Sequence, residues 1–393
     1  MGCVWSVLRG TPKGFEPQPK GYHWSYEAGA LPADTPPEQL RPQDLEISGS
    51  AAPAASSSSA AETAPRVVVR RSGSVNNQQV SIEQCSDTKI LVCDHPAAVT
   101  MDLCTACSVF LGPVGGSVYV RNCKGCTVIA ACQQFRARDC SGCTFYLYST
   151  SRPVIEECSD ISFGCFDFFY FDLALHFKAA SLSVFSNEWY DIYDFTPAPS
   201  EEDGAAHFRR LEKPAPYIDI FGHLSNLSDI FHPDEEEIGI QTRLSPFVRG
   251  TKWADANAAN RFGFVMFAPG EADAAARFLS AEHDMERRAM TVGIAASKEM
   301  LLTTNHVRAM LPQMKNMAQF SRGFAHQLQN GPVIGIYLAY QSKADGSDLS
   351  EALTGALESA FEGAAVNAFF EFEDSDAAHS LALMFLTLPT EGV

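Results

Sequence analysis

The cysteines are the side chains of this sequence best suited to chemistry, because a thiolate can bind a metal or take part in redox reactions. The chain has 12 cysteines among 393 residues. Three Cys-x-x-Cys pairs have the spacing of zinc half-sites, and they begin at Cys104, Cys123 and Cys140. Two further copies of the same phrase carry Thr88 and Ile161 in place of the second cysteine. Because isoleucine cannot bind a metal, we favour small buried core positions and expect no metal; a zinc site and a redox site are the alternatives.

A second candidate is the strand-like run Gln134–Arg138, which reads Gln-Phe-Arg-Ala-Arg. Successive side chains of a strand point to opposite faces, so Gln134, Arg136 and Arg138 share one face. Phe135 and Ala137 point the other way, and Phe135 is the natural inward anchor. Gln134 and Arg136 are therefore expected together on an outer surface. An exposed strand arginine is usually only solvated, so the residues alone leave the role of Arg136 open.

The first six residues, Met-Gly-Cys-Val-Trp-Ser, match the pattern for N-myristoylation of Gly2. Cys3 stands directly beside Gly2 and is a natural site for S-palmitoylation. Two acyl chains hold a protein on a membrane much more stably than one. The alternative is an accidental match, which short motifs allow.

These candidates are carried by a repeat whose marker cysteines recur 19, 19, 17 and 18 residues apart. A period near 18 is too short for paired helices and is typical of one coil of a parallel β-solenoid. Apolar residues follow each marker at plus five and usually plus seven, and we expect them to point inward. They are Ile90, Val92, Val109, Leu111, Val128, Ala130, Phe145, Leu147, Phe163 and Cys165.

Charged residues recur two places before each marker cysteine, and stacked coils would align them in one column. The column consists of Glu83, Asp102, Arg121, Arg138 and Glu156. Neighbours in such a column lie about 4.8 Å apart, so Asp102 can pair with Arg121, and Arg138 with Glu156. The alternative is a solvated ladder in which each pair contributes under about 1 kcal/mol.

The chain divides into four segments by composition. Residues 1–62 are rich in Pro, Gly, Ala and Ser and predict a disordered arm. Residues 63–197 contain the repeat and form the first domain, with the aromatic run 166–177 as its expected end cap. Residues 198–259 are an acidic, Pro-rich linker. Residues 260–393 alternate strand-like and helix-like stretches, which predicts a small α/β sandwich.

Composition limits the classes of partner. The formal net charge of −18 argues against nucleic acid, because phosphate binding needs clustered Lys and Arg. No apolar run is long enough for a transmembrane helix, and the start lacks a signal-peptide pattern. We therefore expect reduced thiols on the cytosolic side and a monomer.

Three motifs, Val80–Cys85, Phe110–Cys123 and Ala131–Cys140, closely resemble the tubulin cofactor C domain family. With Met-Gly-Cys at the start and Ile192–Pro197, the chain is similar to the X-linked retinitis pigmentosa branch of that family. The resemblance implies a right-handed parallel β-helix and a GTPase-activating protein for Arf-like small GTPases. It further implies a role in ciliary or flagellar trafficking of lipidated proteins, at the cytoplasmic face of the plasma membrane and the ciliary base.

The resemblance assigns roles to individual residues. Arg136 corresponds to the family's arginine finger, with Gln134 beside it and Glu156 in support. Arg138 and Phe195 fall at the interface with the GTPase. GTP and Mg²⁺ would belong to the partner, so no cofactor is expected for this chain. The alternative is a non-catalytic membrane scaffold, or a tubulin-folding helper, that binds through the same surface.

The segment 260–393 resembles a nucleoside diphosphate kinase module, chiefly through Gly331–Ile336, which implies a ferredoxin-like fold. Such kinases need a nucleophilic histidine in an Asn-x-x-His-Gly-Ser-Asp context. Here His379 lies in Asp-Ala-Ala-His-Ser-Leu and His326 in Phe-Ala-His-Gln-Leu. We therefore expect this module to be catalytically silent.

Overall fold

The structure is a computed structural model. It describes residues 46–48 (backbone), 66–166, 168, 170, 172–196, 207–211, 261–280, 292–314, 322–340, 347–372 and 375–388. The predicted lipidation sites Gly2 and Cys3 lie outside these residues, as does most of the predicted arm and linker. No helix in the described ranges is both long and apolar enough to cross a membrane.

The first domain is a parallel β-helix built from short strands. They are β1 (Glu46–Ser48), β2 (Arg66–Arg70), β3 (Gln79–Glu83), β4 (Thr88–Val92), β5 (Ala98–Asp102), β6 (Ser108–Arg121), β7 (Thr127–Arg138), β8 (Thr144–Ser149), β9 (Val154–Glu156), β10 (Ile161–Cys165), β11 (Tyr193–Asp194) and β12 (Phe208–Arg210). One ladder runs β1-β3-β5-β6-β7-β9-β11 and a second runs β2-β4-β6-β7-β8-β10-β12, and every pair is parallel. The long strands β6 and β7 bend across both ladders, so they form the centre of the β-helix. The predicted parallel β-helix is confirmed; its handedness stays a prediction.

The repeat positions the core as its spacing predicted. Every expected inward residue of the plus-five and plus-seven sets lies in one buried cluster with the marker cysteines. Each coil turns at the residue before its marker, where the backbone is left-handed: φ is 55° at Leu103, 50° at Asn122 and 53° at Asp139. The N–H of Leu103 donates to the carbonyl of Arg121, and the N–H groups of Asn122 and Asp139 donate in the same way to the carbonyls of Arg138 and Glu156. The hydrogen bonds at these corners set the spacing between successive coils.

The sequence predicted that the aromatic run after β10 caps an end of the β-helix. In the structure this run covers the side of the β-helix instead. Phe166, Phe168, Tyr170 and helix α1 (Leu173–Ala179) pack on the outward residues of the second ladder, including Phe110. The rings of Phe110 and Phe168 stack with centroids 3.9 Å apart. Outward apolar residues make this ladder an apolar sheet face. Burying that face stabilises the fold more than covering the end of the β-helix would.

Two strands extend the first domain beyond its predicted bounds of 63–197. Strand β1 lies inside the predicted arm and pairs with β3, while β12 lies inside the predicted linker and pairs with β10. Phe208 closes this last rung on Phe163, with ring centroids 5.9 Å apart. Short strands such as these satisfy the backbone groups at the ends of an open β-helix.

The second domain is an α/β sandwich. Its strands are β13 (Arg261–Phe267), β14 (Val292–Leu301), β15 (Pro332–Tyr340) and β16 (Ala368–Glu371). They form one antiparallel sheet in the order β14-β15-β13-β16. The helices are α2 (Ala272–Ser280), α3 (Thr304–Met314), α4 (Arg322–Gln327), α5 (Ser347–Ala360) and α6 (Ser375–Leu386). Helices α2 and α5 cover one face, and α3, α4 and α6 cover the other. Helix α6 was not predicted from the sequence.

Residues 183–188 join the two domains. Phe185 belongs to the buried core on the α2 and α5 side of the second domain. Ser297 Oγ donates to the Phe185 carbonyl at 2.7 Å, and the Glu299 N–H donates to Ser186 Oγ at 3.1 Å. Burial also raises the pKa of Glu188 and lowers that of Lys298. The junction is therefore packed and hydrogen-bonded, not a bare tether.

Candidate functional site

Arg136 projects from the centre of the first ladder. Its Cα is in register with Tyr119 of β6 on one side and Val154 of β9 on the other. The flanking Phe135 is 1% exposed, and its ring lies 4.9 Å from that of Phe145 in the core. The predicted alternation is therefore confirmed, with Phe135 and Ala137 inward and Arg136 exposed. Strand β7 is paired on both sides, and Phe135 packs in the core below it. The backbone that carries Arg136 is therefore held rigidly.

The arginines next to Arg136 in the fold have acidic partners. Arg121 donates to Asp102 Oδ2 at 2.7 Å, and Arg138 Nε lies 3.9 Å from Glu156 Oε2 and 3.2 Å from Asp139 Oδ2. Both predicted column pairs are thus present. Within the described ranges the Arg136 guanidinium has neither a hydrogen bond nor an ion pair. Its charge is therefore available to a partner molecule.

Glu156 contacts Arg138, and the structure shows no contact from it to Arg136. The carboxylates of Glu156 and then Asp139 raise the pKa of Arg138. Arg138 is exposed, so these ion pairs are weak and contribute to orientation more than to stability. Glu156 can therefore support Arg136 only indirectly, by holding Arg138 upright beside it.

Gln134 is exposed on the same face as Arg136, two residues earlier on β7. Ser117 Oγ donates to Gln134 Oε1 at 3.4 Å, a long and exposed hydrogen bond. This weak contact leaves the amide free to reorient. The structure thus places Gln134 and Arg136 side by side, as predicted.

An aromatic pair lies at the end of the same ladder. Tyr193 pairs in register with Val154, so its side chain follows Tyr119 and Arg136 across the strands. Two rungs of about 4.8 Å separate it from Arg136. Phe195 is 60% exposed, and its ring meets the Tyr193 ring edge-on at 4.6 Å. Exposed rings in contact beside an unpaired arginine are typical of an interface.

Sequence reasoning singled out Phe195 but not Tyr193 or Tyr119. The Arg152 guanidinium lies 5.3 Å from the centre of the Tyr193 ring and forms an ion pair with Asp191 at 2.6 Å. For Tyr119 the signal was present, because it lies one coil before Arg136 in the repeat. For Tyr193 the repeat gives no signal, because β11 lies after the last cysteine repeat and pairs with β9 from there.

The cysteines of the β-helix are structural in their contacts. All the described cysteines are free and buried. Cys104, Cys123 and Cys140 each donate their S–H to the carbonyl two residues earlier, at 3.3, 3.0 and 3.2 Å. Those carbonyls belong to the charged column, so each thiol fastens the corner that ends its strand. Burial raises the pKa of Cys132 to about 12, which opposes thiolate chemistry there.

Among the described histidines of the second domain, His379 and His326 are the two that the sequence analysis weighed as nucleophiles. His379 Nδ1 is 2.5 Å from the Tyr337 hydroxyl, and its ring lies 5.1 Å from that of Phe262. His326 is exposed in α4. Burial also raises the pKa of Tyr337 to about 12, so this hydroxyl stays protonated.

The fold and the site define a class of protein: a parallel β-helix joined to an α/β domain. One ladder of the β-helix presents an aromatic pair and an arginine that has no partner among the described residues. Residues 77–195 match the family profile "Tubulin binding cofactor C". Residues 77–195 are therefore similar to the tubulin cofactor C family, in agreement with the resemblance drawn from the motifs.

Three curated proteins are similar to part of the chain. It is 40% identical to "Protein XRP2" of Homo sapiens over 206 residues, which cover 51% of this chain and 52% of that protein. It is 41% identical to "Protein XRP2" of Gallus gallus over 215 residues, covering 52% and 54%. "Tubulin-specific chaperone C" of Homo sapiens is 27% identical over 130 residues, covering 33% and 38%. The match thus spans about half the length of the XRP2 proteins.

Two solved structures are similar to parts of the chain. "Tubulin Binding Cofactor C from Leishmania major" covers 30% of this chain and 80% of that one, with 22% identity and a TM-score of 0.25. A nucleoside diphosphate kinase from Encephalitozoon cuniculi covers 34% and 93%, with 15% identity and a TM-score of 0.23. TM-scores this low do not establish a common fold.

Proposed function

We propose that this protein activates GTP hydrolysis by a GTP-bound Arf-like small GTPase and supplies Arg136 in trans as an arginine finger. The observation that carries the proposal is the exposed Arg136 guanidinium, which has no partner in the described ranges although Arg121 and Arg138 both do. Similarity to the XRP2 proteins and to the tubulin cofactor C family supports a GTPase as the partner.

The chemistry asked of Arg136 is electrostatic. A small GTPase hydrolyses GTP slowly because the charge that develops on the transferred phosphoryl group and the leaving oxygen is poorly compensated. An arginine inserted by a partner raises the rate by roughly 10³–10⁵. The guanidinium is always charged and can fork across two oxygens. GTP and Mg²⁺ belong to the GTPase in this mechanism, so this chain needs no cofactor.

Position decides how well such a finger works, because a misplacement of about 1 Å can reduce the rate about 10²-fold. The buried Phe135 and the paired strands β6 and β9 hold the Arg136 backbone in place. Glu156 fixes Arg138 next to it, and Gln134 can contact the nucleotide site of the partner. Phe195 and Tyr193 provide the apolar contact that docks the GTPase.

Single-turnover GTP hydrolysis tests this proposal. An Arf-like GTPase loaded with GTP is mixed with excess full chain, and phosphate release is followed over time. We expect a large rate increase that saturates with the concentration of the chain. Binding of the GTP-bound partner with no change in the hydrolysis rate would overturn the catalytic role. That result would favour a scaffold or a tubulin-folding helper, an alternative supported by the similarity to tubulin-specific chaperone C.

Membrane attachment through Gly2 and Cys3 is part of the same proposal. The motif supports myristate on Gly2 and palmitate on Cys3, with residence at the plasma membrane and the ciliary base. Gly2→Ala should release the protein to the cytosol, because it removes the first acyl chain. Cys3→Ser should only weaken membrane residence, because one myristoyl chain gives marginal binding. Fluorescence imaging of tagged cells checks both, and an unchanged distribution of Gly2→Ala would contradict the anchor.

For the second domain we propose a nucleoside diphosphate kinase-like, ferredoxin-like fold without kinase activity. The four antiparallel strands in the order β14-β15-β13-β16 support the fold. The packed position of His379 and the absence of the kinase motif from the sequence support the loss of activity.

A further inference from the structure

We propose that Asp94, His95 and His176 form a binding site for one divalent metal ion, with zinc as the best match. Asp94 and His95 follow β4 after one intervening residue, and His176 lies in α1, so the site is where the aromatic cover meets the β-helix. Their ligand atoms all lie within 4.8 Å of one another, and in the described part of the chain this is the one such group. The inference does not depend on the proposed GTPase activity.

The distances suit tetrahedral zinc. Asp94 Oδ1 is 2.9 Å from His95 Nδ1 and 3.5 Å from His176 Nε2. With zinc bonds of about 2.0–2.1 Å, tetrahedral ligand atoms lie about 3.3 Å apart. These two separations bracket that value and the two imidazole nitrogens lie within 4.8 Å of each other, so rotations of the side chains would admit the ion. One carboxylate oxygen and two imidazole nitrogens are also a common donor set for zinc.

Other polar atoms of Asp94 and His176 form hydrogen bonds. These bonds orient the proposed ligand atoms towards one another. Asp94 Oδ2 accepts the N–H groups of Val75 at 2.6 Å and Asn76 at 2.9 Å. Oδ1 accepts the His95 N–H at 2.8 Å and retains a second lone pair. The Tyr170 hydroxyl lies 2.5 Å from His176 Nδ1, which orients Nε2 towards Asp94. Such outer contacts are usual for the histidine ligands of metals.

Charge balance also favours a cation here. The side chain of Asp94 is 0% exposed, and among the described ion pairs its partners are these two imidazoles. A divalent ion would balance the negative charge of this fully buried carboxylate.

A fourth donor is close to the site. Ser72 Oγ, in the turn after β2, lies 3.2 Å from His176 Nε2. Its hydroxyl or a water molecule can complete the coordination. The ion would then join the turn after β2, the end of β4 and helix α1. It would fasten the aromatic cover to the β-helix, and this cover leads into the 183–188 junction.

This site departs from the expectation of no metal, which considered only the cysteines. The competing interpretation is a buried hydrogen-bond network without an ion. To distinguish them, the untagged full chain is stripped with chelator and dialysed against a low zinc concentration, and bound zinc and the melting temperature are measured. We expect about one zinc per chain and a higher melting temperature with zinc than with chelator.

His176→Gln should abolish both the bound zinc and the rise in melting temperature, because it removes one ligand and keeps a polar group of similar size. The matched control is His207→Gln, whose ring pairs with Asp194 at 2.6 Å outside any such cluster. This control should bind zinc like the parent.

Cobalt replacement separates this site from the cysteines. Cobalt bound by Asp94, His95 and His176 should lack the strong near-ultraviolet band of a thiolate ligand. Three results would overturn the proposal: no zinc on the parent, zinc retained by His176→Gln, or a thiolate band in the cobalt form. If His176→Gln unfolds, His95→Asn provides the second variant, since His95 is partly exposed and outside the helix.

Discussion

The two domains use their polar side chains in opposite ways. In the β-helix, the repeat lines up charged residues on a rigid outer ladder, and Arg136 has no acidic partner in the described ranges. In the second domain, the corresponding groups are engaged internally. His379 bonds to Tyr337, and Lys298 Nζ donates to the carbonyls of Leu386 and Leu388 at 3.0 and 2.8 Å. Among the described residues, the first domain therefore exposes a charge without a partner, whereas polar groups of the second domain bond within that domain.

The sharpest way to break this comparison is Arg136→Ala. If Arg136 is the finger, the variant should reduce stimulated GTP hydrolysis by on the order of 10³ or more. Arg136→Lys should lose nearly as much, because an ammonium cannot fork across two oxygens. Single-turnover phosphate release measures both.

The control for this experiment is Arg209→Ala, which removes another exposed arginine from the β-helix. Its side chain is 68% exposed and lies 3.6 Å from Asp160 on the last rung of the other ladder. Activation should be unchanged in this variant. Circular dichroism should show that Arg136→Ala keeps its fold, since an outward side chain contributes little to the core. Full activation by Arg136→Ala would leave only the scaffold interpretation.

A smaller effect is expected from Phe195→Ala. The exposed ring contributes docking area and no charge, so its loss should weaken binding of the GTPase by about tenfold or more. The rate at saturating concentrations should be retained, because the bound complex still contains Arg136. Titration of hydrolysis against the chain separates the two parameters. Leu175→Ala, an equally exposed apolar residue in α1, should change neither. A loss of the saturated rate in Phe195→Ala would place this ring in the chemistry.

The sequence predicts the β-helix well because the period of the repeat equals the length of one coil. A coil of fixed length places the same position above itself, so Phe135, Arg136 and the pair Arg121–Asp102 follow from counting residues. The recognition of the family came from the same stretch. Prediction failed where the chain leaves the period. Neither β1 nor β12 belongs to a cysteine repeat, and both were assigned to an arm or a linker.

The residues that sequence reasoning missed depend on contacts between distant segments. Tyr193 joins the Arg136 ladder only because β11 returns to pair with β9. His176 meets Asp94 only because the aromatic run packs on the side of the β-helix and not on its end. In both cases the local pattern shows an apolar run, while the partner is set by which surface of the β-helix requires cover.

The smallest effects are expected from changes in the second domain. Deleting residues 260–393 should leave GTPase activation largely intact, because every proposed contact residue belongs to the β-helix. The melting temperature should fall, since the deletion exposes Phe185 and removes the hydrogen bonds of residues 185 and 186. Phe185→Ser in the shortened chain controls for aggregation through the exposed ring. A large loss of activation in a folded, monomeric deletion would mean that both domains form one composite site.

The same prediction extends to the full chain incubated with labelled ATP. No phosphohistidine should form and no phosphate should pass to a nucleoside diphosphate, and His379→Asn should change neither result. The reason is geometric as well as sequential: His379 Nδ1 is occupied by the Tyr337 hydroxyl, and the ring packs beside Phe262. An acid-labile phosphate on the parent that is absent from His379→Asn would contradict this. It would give the second domain a catalytic group of its own. The contrast between the exposed arginine of the β-helix and the internally bonded polar groups of the second domain would then fail.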